Sequence, residues 1–202
     1  MGYYALGNQT SNTSYNTAIG YQAMYNASGS GNQYNVAIGY NALYANTTGT
    51  YNVAIGSALG ANTTGYTNVA IAVNALGANT TGYRNIALGN SALVANTTGF
   101  GNIALGYSVL QANISGQHNI ALGHETLYFN SLGSYNIALG IESMLYMRTG
   151  SDNIAIGRGS MRGDIVQGIN RQGNIAIGQS TLASSVYGNN NTAIGTLALS
   201  NA

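Results

Sequence analysis

Any catalytic or ligand chemistry in this chain has to come from few side chains. The only acids are Glu125, Glu142, Asp152 and Asp164, the only histidines His118 and His124, and the only cations Arg84, Arg148, Arg158, Arg162 and Arg171. General acid–base work needs two groups tuned against each other in one cleft, and His124 with Glu125 is the one adjacent pair. Neighbours on a strand project to opposite faces, so the spacing predicts that they do not cooperate. There is no Lys, and Gly recurs at turn spacing rather than in a strand-to-helix phosphate loop. The absence of Cys excludes thiol catalysis and cysteine-ligated zinc. Calcium-binding β-rolls need an Asp in each turn, which this chain lacks. The expectation is therefore a protein with no catalytic residue, no metal and no cofactor.

Binding has more material. Eight of the nine charged residues lie between Glu125 and Arg171, which polarises the chain toward one end. Residues 158–173 form an inserted loop in that region. Arg158, Arg162 and Arg171 could act there as hydrogen-bond forks for an acidic sugar, a carboxylate or a phosphate, with Asp164 beside them. The Arg162-Gly163-Asp164 tripeptide within it is short enough to arise by chance. A second candidate is aromatic. Tyr15, Tyr34, Tyr51 and Tyr135 precede a recurring Asn, and Tyr21, Tyr40 and Tyr107 follow a recurring Gly. Stacked into columns, such rings either receive sugar rings or pack on one another.

The elements that position these residues follow from one phrase, plainest as Asn35-Val36-Ala37-Ile38-Gly39. Its copies start at Asn16, Asn35, Asn52, Asn68, Asn85, Asn102, Asn119, Asn136, Asn153, Asn174 and Asn191, at spacings of 19, 17, 16, 17, 17, 17, 17, 17, 21 and 17 residues. A fixed period of this kind is the mark of a solenoid. The single domain 1–202 then divides into a partial N-terminal coil (1–15), full coils, the 158–173 insertion and an incomplete final coil (191–202). Ends that stop partway through a unit suggest stacking of molecules end to end into a filament. Gly and Asn interrupt every few residues, too often for helices. The expected fold is all-β, a parallel β-solenoid or β-roll of about eleven 17-residue coils with two short strands per coil. The second strand would end in Leu or Met, as at Leu43, Leu76 and Met144. Asn-Thr-Thr-Gly links at Asn46, Asn62, Asn79 and Asn96 read as turns in which Gly supplies positive φ.

The phrase is apolar on both faces. Period-two alternation sets the branched second and fourth residues against the invariant third, Ala. We expect the branched residues to fill the coil. The alanines Ala18, Ala37, Ala54, Ala70, Ala87, Ala104, Ala121, Ala138, Ala155, Ala176 and Ala193 would then form an oligomer interface, packing against identical columns in a homotrimer around a common axis. The alternative is a flattened monomer whose sheets meet on Ala and Gly.

Asn16-Thr17-Ala18-Ile19-Gly20-Tyr21-Gln22-Ala23-Met24 and Asn35-Val36-Ala37-Ile38-Gly39-Tyr40-Asn41-Ala42-Leu43 resemble repeats in the β-roll heads of trimeric autotransporter adhesins. They are similar, more closely still, to the "TAIGYQAL" arrays of phage tail fibres and related surface fibres. The resemblance covers nearly the whole chain and implies a trimer of left-handed parallel β-rolls presenting an adhesive surface. A net charge of +1 gives no electrostatic pull on nucleic acid, and every apolar run is too short to cross a bilayer as a helix. The N-terminus lacks the basic and apolar regions of a secretory signal, so any export would use another route, a removed leader or lysis. The expected function is a structural fibre module of a tail fibre or surface filament, on a virion or outside the cell, that attaches to a cell-surface glycan or protein receptor. Two rivals are an ice-binding solenoid built on the paired threonines of the Asn-Thr-Thr-Gly links and a component of a carbohydrate-active enzyme.

Overall fold

A computed structural model describes residues 2–8, 14–164, 170–184 and 188–200. Among these, each copy of the phrase forms one three-residue strand. They are β1 (Thr17–Ile19), β2 (Val36–Ile38), β3 (Val53–Ile55), β4 (Val69–Ile71), β5 (Ile86–Leu88), β6 (Ile103–Leu105), β7 (Ile120–Leu122), β8 (Ile137–Leu139), β9 (Ile154–Ile156), β10 (Ile175–Ile177) and β11 (Thr192–Ile194). The strands make one parallel sheet in sequence order, with Ala paired to Ala at every step. The chain is an all-β parallel solenoid, and no helix occurs among the described residues.

The faces of the sheet are the reverse of the sequence expectation. Ala37, Ala54, Ala104 and their equivalents are fully buried inside the coil, with only the terminal Ala18 (8%) and Ala193 (4%) touching solvent. The branched residues flanking them point outward and are half-buried or exposed, as at Ile120 (39%) and Leu122 (47%). The eleven alanines are therefore not available as an oligomer interface. The physical reason is space. Asn35, at the start of the phrase, is itself fully buried, so alternation turns Ala37 inward with it and Val36 and Ile38 outward. Inside, the Ala column meets a column of Ala and Leu from the far side, such as Ala92 and Leu93, and a branched side chain on the strand would not fit.

That far side is not a second strand. It is a ladder of turns in which Leu or Met adopts left-handed backbone in every coil, for example Leu43 (φ 52), Leu93 (φ 53) and Met161 (φ 48). The residue two places earlier often does the same, as at Asn41 (φ 54) and Ser91 (φ 58). The backbone still bonds coil to coil there, with Leu59 N donating to Ala75 O (3.0 Å) and Leu76 N to Ala92 O (3.0 Å). Left-handed geometry costs an L-residue about 1–2 kcal/mol, whereas burying Leu contributes about 1.5–3 kcal/mol. The buried side chain thus offsets the strain of its own backbone.

Two buried asparagine ladders close the coils. The Asn that opens each phrase accepts, through Oδ1, the backbone N–H of its successor, from Asn16 with Asn35 (2.9 Å) through Asn102 with Asn119 (3.0 Å) to Asn174 with Asn191 (2.9 Å). Its Nδ2 donates to the carbonyl of the link glycine, as Asn85 does to Gly99 (2.8 Å). The Asn of Asn-Thr-Thr-Gly forms the second ladder. Asn79 Nδ2 donates to Asn62 Oδ1 (2.7 Å) and to Gly82 O (3.0 Å), and Asn79 Oδ1 accepts from Asn96 (2.8 Å). This ladder ends at Asn130, where the next coil places Met147, which cannot donate, and Asn130 Oδ1 has no hydrogen bond. The link glycines are required for closeness and not for positive φ, since a Cβ on Gly82 would strike Asn79 Oδ1 and Gly99 O. The glycines that end the phrase do carry positive φ, as at Gly106 (φ 130).

Length changes fall in the turns and leave the sheet in register. The missing residue between Gly56 and Ala58 does not disturb the pairing of Ala54 with Ala70, and the 158–173 insertion does not disturb that of Ala155 with Ala176.

Candidate functional site

The charged end of the rod gathers only some of the residues that the sequence singles out. Arg171 is 2% exposed, and its Nη1 donates to Leu182 O (2.8 Å) inside the coil. Burial pushes its guanidinium down to about 10. Its carbonyl takes the place of the link glycine's, accepting Asn153 Nδ2 (2.7 Å). Arg171 is a core residue and not a binding fork. Arg158 is exposed but lies outside the clefts described below. The middle of the insertion, residues 165–169, lies outside the described residues.

Arg162 and Asp164 do come together. Arg162 Nε pairs with Glu142 Oε2 at 2.9 Å, and its guanidinium carbon sits 5.7 Å from the ring centre of Tyr146. Arg162, Gly163, Asp164, Tyr146 and Ser184 line a cleft of about 250 Å³. A neighbouring cleft of about 240 Å³ shares Tyr146 and is lined by Glu125, Tyr128, Phe129 and Leu145. The aromatic residues here were missed in the sequence. The signal was a change of type in one pair of columns, from Gly60-Ala61 and Gly77-Ala78 in earlier coils to Tyr128-Phe129 and Leu145-Tyr146 in later ones. Small residues give way to rings on one corner of the rod.

His124 and Glu125 are closer than alternation predicts, with Nδ1 and Oε2 4.0 Å apart. They lie beyond the end of β7, and Glu125 has left-handed backbone (φ 53), so the strand rule does not govern them. Both are partly open to solvent. His124 stacks on Tyr107 at 5.2 Å.

The tyrosine columns exist. Tyr15, Tyr34 and Tyr51 stack at 4.9 Å steps with planes within 6°, Tyr21 stacks on Tyr40 at 5.4 Å, and Tyr66, Tyr83 and Phe100 form a third column. Rings this close cover each other's faces. Inside a column only edges and hydroxyls meet the solvent, so the stacked rings stabilise neighbouring coils and an inner ring such as Tyr34 offers no sugar-stacking face. The threonines behave similarly: Thr47, Thr63 and Thr80 donate their hydroxyls to the next coil's backbone (3.0, 3.0 and 3.1 Å). One exposed Thr per link remains, Thr48, Thr64, Thr81 and Thr98.

Among the described residues no cluster of three or more His, Cys, Asp or Glu could hold a metal ion, and no helix is long and apolar enough to cross a membrane. In comparisons with known proteins the chain matched no family model, no curated protein and no solved structure.

Proposed function

We propose that the chain is a structural fibre module of a phage tail fibre or an extracellular surface filament, assembled as a homotrimer and serving attachment rather than catalysis. The observation that carries this reading is the outward face of the sheet. Two columns of Val, Ile and Leu run from β1 to β11, with Thr only at Thr17 and Thr192, and many are exposed, including Ile71 (36%), Ile86 (37%), Leu88 (36%) and Ile177 (36%). Eleven rungs about 4.8 Å apart make a strip about 48 Å long and roughly 12 Å wide, on the order of 600 Å². That is at the upper limit for the largest apolar patch of an ordinary monomer, about 300–600 Å², and near the roughly 800 Å² that each partner gives to a stable interface. A flat strip repeating at one spacing matches a second copy of itself rung for rung. Three such strips turned inward around one axis would put all the aliphatic rows out of water and leave the turns outside.

The resemblance of the repeat to adhesin heads and tail-fibre arrays supports the same arrangement, with the interface on the branched residues instead of the alanines. A glycan or protein on a cell surface is the receptor class this reading implies, and a virion or the cell exterior its location. An ice-binding reading would need both threonines of each link facing water, and the first of each pair is already bonded to the next coil. The test of assembly is the solution mass by light scattering. Three chains are expected; two would keep the aliphatic face as the interface but overturn the three-fold axis, and a single chain would overturn the fibre reading.

A further inference from the structure

We propose that the chains of the assembly run parallel and in register, clamped at each seam by an ion pair between Asp152 of one chain and Arg158 of the partner subunit. The inference rests on the fibre reading above and adds how its copies are oriented. It starts from the two edges of the aliphatic strip. In every coil the residue before the opening Asn and the residue that follows the end of the phrase are open to solvent, so one column runs along either edge of the strip. In the ninth coil these two residues are Asp152 and Arg158, two places before Ile154 and two places after Ile156. Both are exposed. Among the described residues the ion pairs are His124 with Glu125 and Arg162 with Glu142, and neither Asp152 nor Arg158 takes part in one. Nor does a charge stand next to either in its own column, where Asp152 lies between Tyr135 and Gly173 and Arg158 between Ile141 and Gln179. Arg84 is the one other Asp, Glu or Arg along the two edges.

A rotation axis along the rod presents the leading edge of one strip to the trailing edge of the next. Rung then meets rung, so Asp152 faces the partner's Arg158 at every seam. A slip of one rung sets Asp152 against Gln179 or Ile141 of the partner subunit, and antiparallel packing sets the ninth rung against the third, at Tyr51 and Ser57. Of these arrangements, parallel chains at zero offset alone bring the two charges together.

The strip cannot choose this register by itself. Ile86, Ile103, Ile120 and Ile137 repeat one side chain at one spacing, as Leu88, Leu105, Leu122 and Leu139 do beside them, so a slipped neighbour packs almost as well. Aliphatic burial supplies the affinity, and one pair of opposite charges supplies orientation and register. Beside a strip withdrawn from water the pair is screened less than a lone surface pair. Its consequence is a polar fibre. Parallel chains gather the charged stretch between Glu125 and Arg171 at one level of the rod and the tyrosine-rich coils of residues 1–51 at another. A receptor then meets the same surface from every chain at once.

The test is crosslinking of the assembled full chain with a short bismaleimide, made clean by the absence of any native cysteine. A chain carrying both Asp152→Cys and Arg158→Cys should be joined into a covalent multimer with as many chains as light scattering finds in the assembly. Either substitution alone should leave single chains on a denaturing gel. Single chains only from the double variant, or linked chains from either single variant, overturn the arrangement. Charge exchange gives a second readout. Asp152→Arg and Arg158→Asp should each raise the concentration of half-assembly by about tenfold or more, and the two together should restore it to within about threefold. Position 152 accepts arginine on its backbone, because Arg84 holds the same place in its own coil with φ 54 against 59 for Asp152, and circular dichroism checks folding. Single reversals that assemble like the wild type, or an exchange that recovers nothing, overturn the pair. Light scattering keeps this claim apart from the fibre reading. Assembled chains without a 152–158 crosslink lose the parallel register and keep the fibre. A crosslinked assembly of two chains keeps the register and loses the three-fold axis, and a chain that stays single at every concentration loses both.

Discussion

Individual residues in this protein are chosen for how closely one coil lies on the next. Asn79 spends its amide on three ladder bonds in a dry interior, so Asn79→Asp removes two donors and faces a carboxylate toward carbonyl oxygens. We expect it to cost about 3–5 kcal/mol. Because a repeat array opens locally, hydrogen exchange of the coils around residue 79 is the sensitive measurement, supported by a lower denaturant midpoint. Ala72 makes the opposite case. It stands where nearly every other copy ends its phrase in Gly and carries that glycine's backbone, φ 114. Ala72→Gly should therefore stabilise the chain by about 1 kcal/mol, raising the thermal midpoint. The residue scale was only half legible in the sequence. That Asn and Gly served the backbone could be read from their recurrence, but the ladders could not, because one repeat does not show what lies 4.8 Å above it. The Asn-Thr-Thr-Gly glycines were assigned to positive φ, when what requires them is the carbonyl of the next coil.

At the scale of the element, one strand of three residues and one strained turn replace the two strands expected. The place of one strand in every copy and the parallel order followed from the spacing of the phrase, because each copy must repeat the same path. Which face was inside did not follow from hydrophobicity, since both faces are apolar. The better signal was variation of size among copies. The third position is Ala in all eleven, while the second varies among Thr, Val and Ile and the fourth between Ile and Leu. A site that admits a single volume is enclosed, and one that tolerates several is open on one side. This makes a clear prediction for paired variants of β6. Ala104→Leu forces a large side chain into a filled coil and should destabilise the chain by about 1–3 kcal/mol or more. Ile103→Thr, on the outer face of the same strand, should leave the coil folded and weaken only self-association. Thermal melts monitored by circular dichroism, run beside light scattering, distinguish the two effects. The candidate cleft belongs to this scale too. Its arginine and aspartate were legible as a cluster of charge, but the half-buried ring of Tyr146 on its lining was not, because one repeat does not show that Gly163 replaces the next ring of the column.

For the whole molecule, the consequence is a rod with two unlike sides: turns, tyrosine edges and the charged cleft on one, and a ladder of aliphatic residues on the other. The second side is an aliphatic strip at the upper limit of what an ordinary monomer exposes, about 300–600 Å². The account rests on that strip being covered by copies of the same chain, and one measurement addresses it directly. The solution mass of the wild-type chain and of the double variant Ile120→Asp, Leu122→Asp should be compared by light scattering across a range of concentrations, with circular dichroism on both. The account predicts a wild-type mass of three chains and a variant that keeps its β-sheet spectrum but falls to one. A wild-type chain that remains monomeric at every concentration, or a charged variant that assembles as well as the wild type, would contradict it.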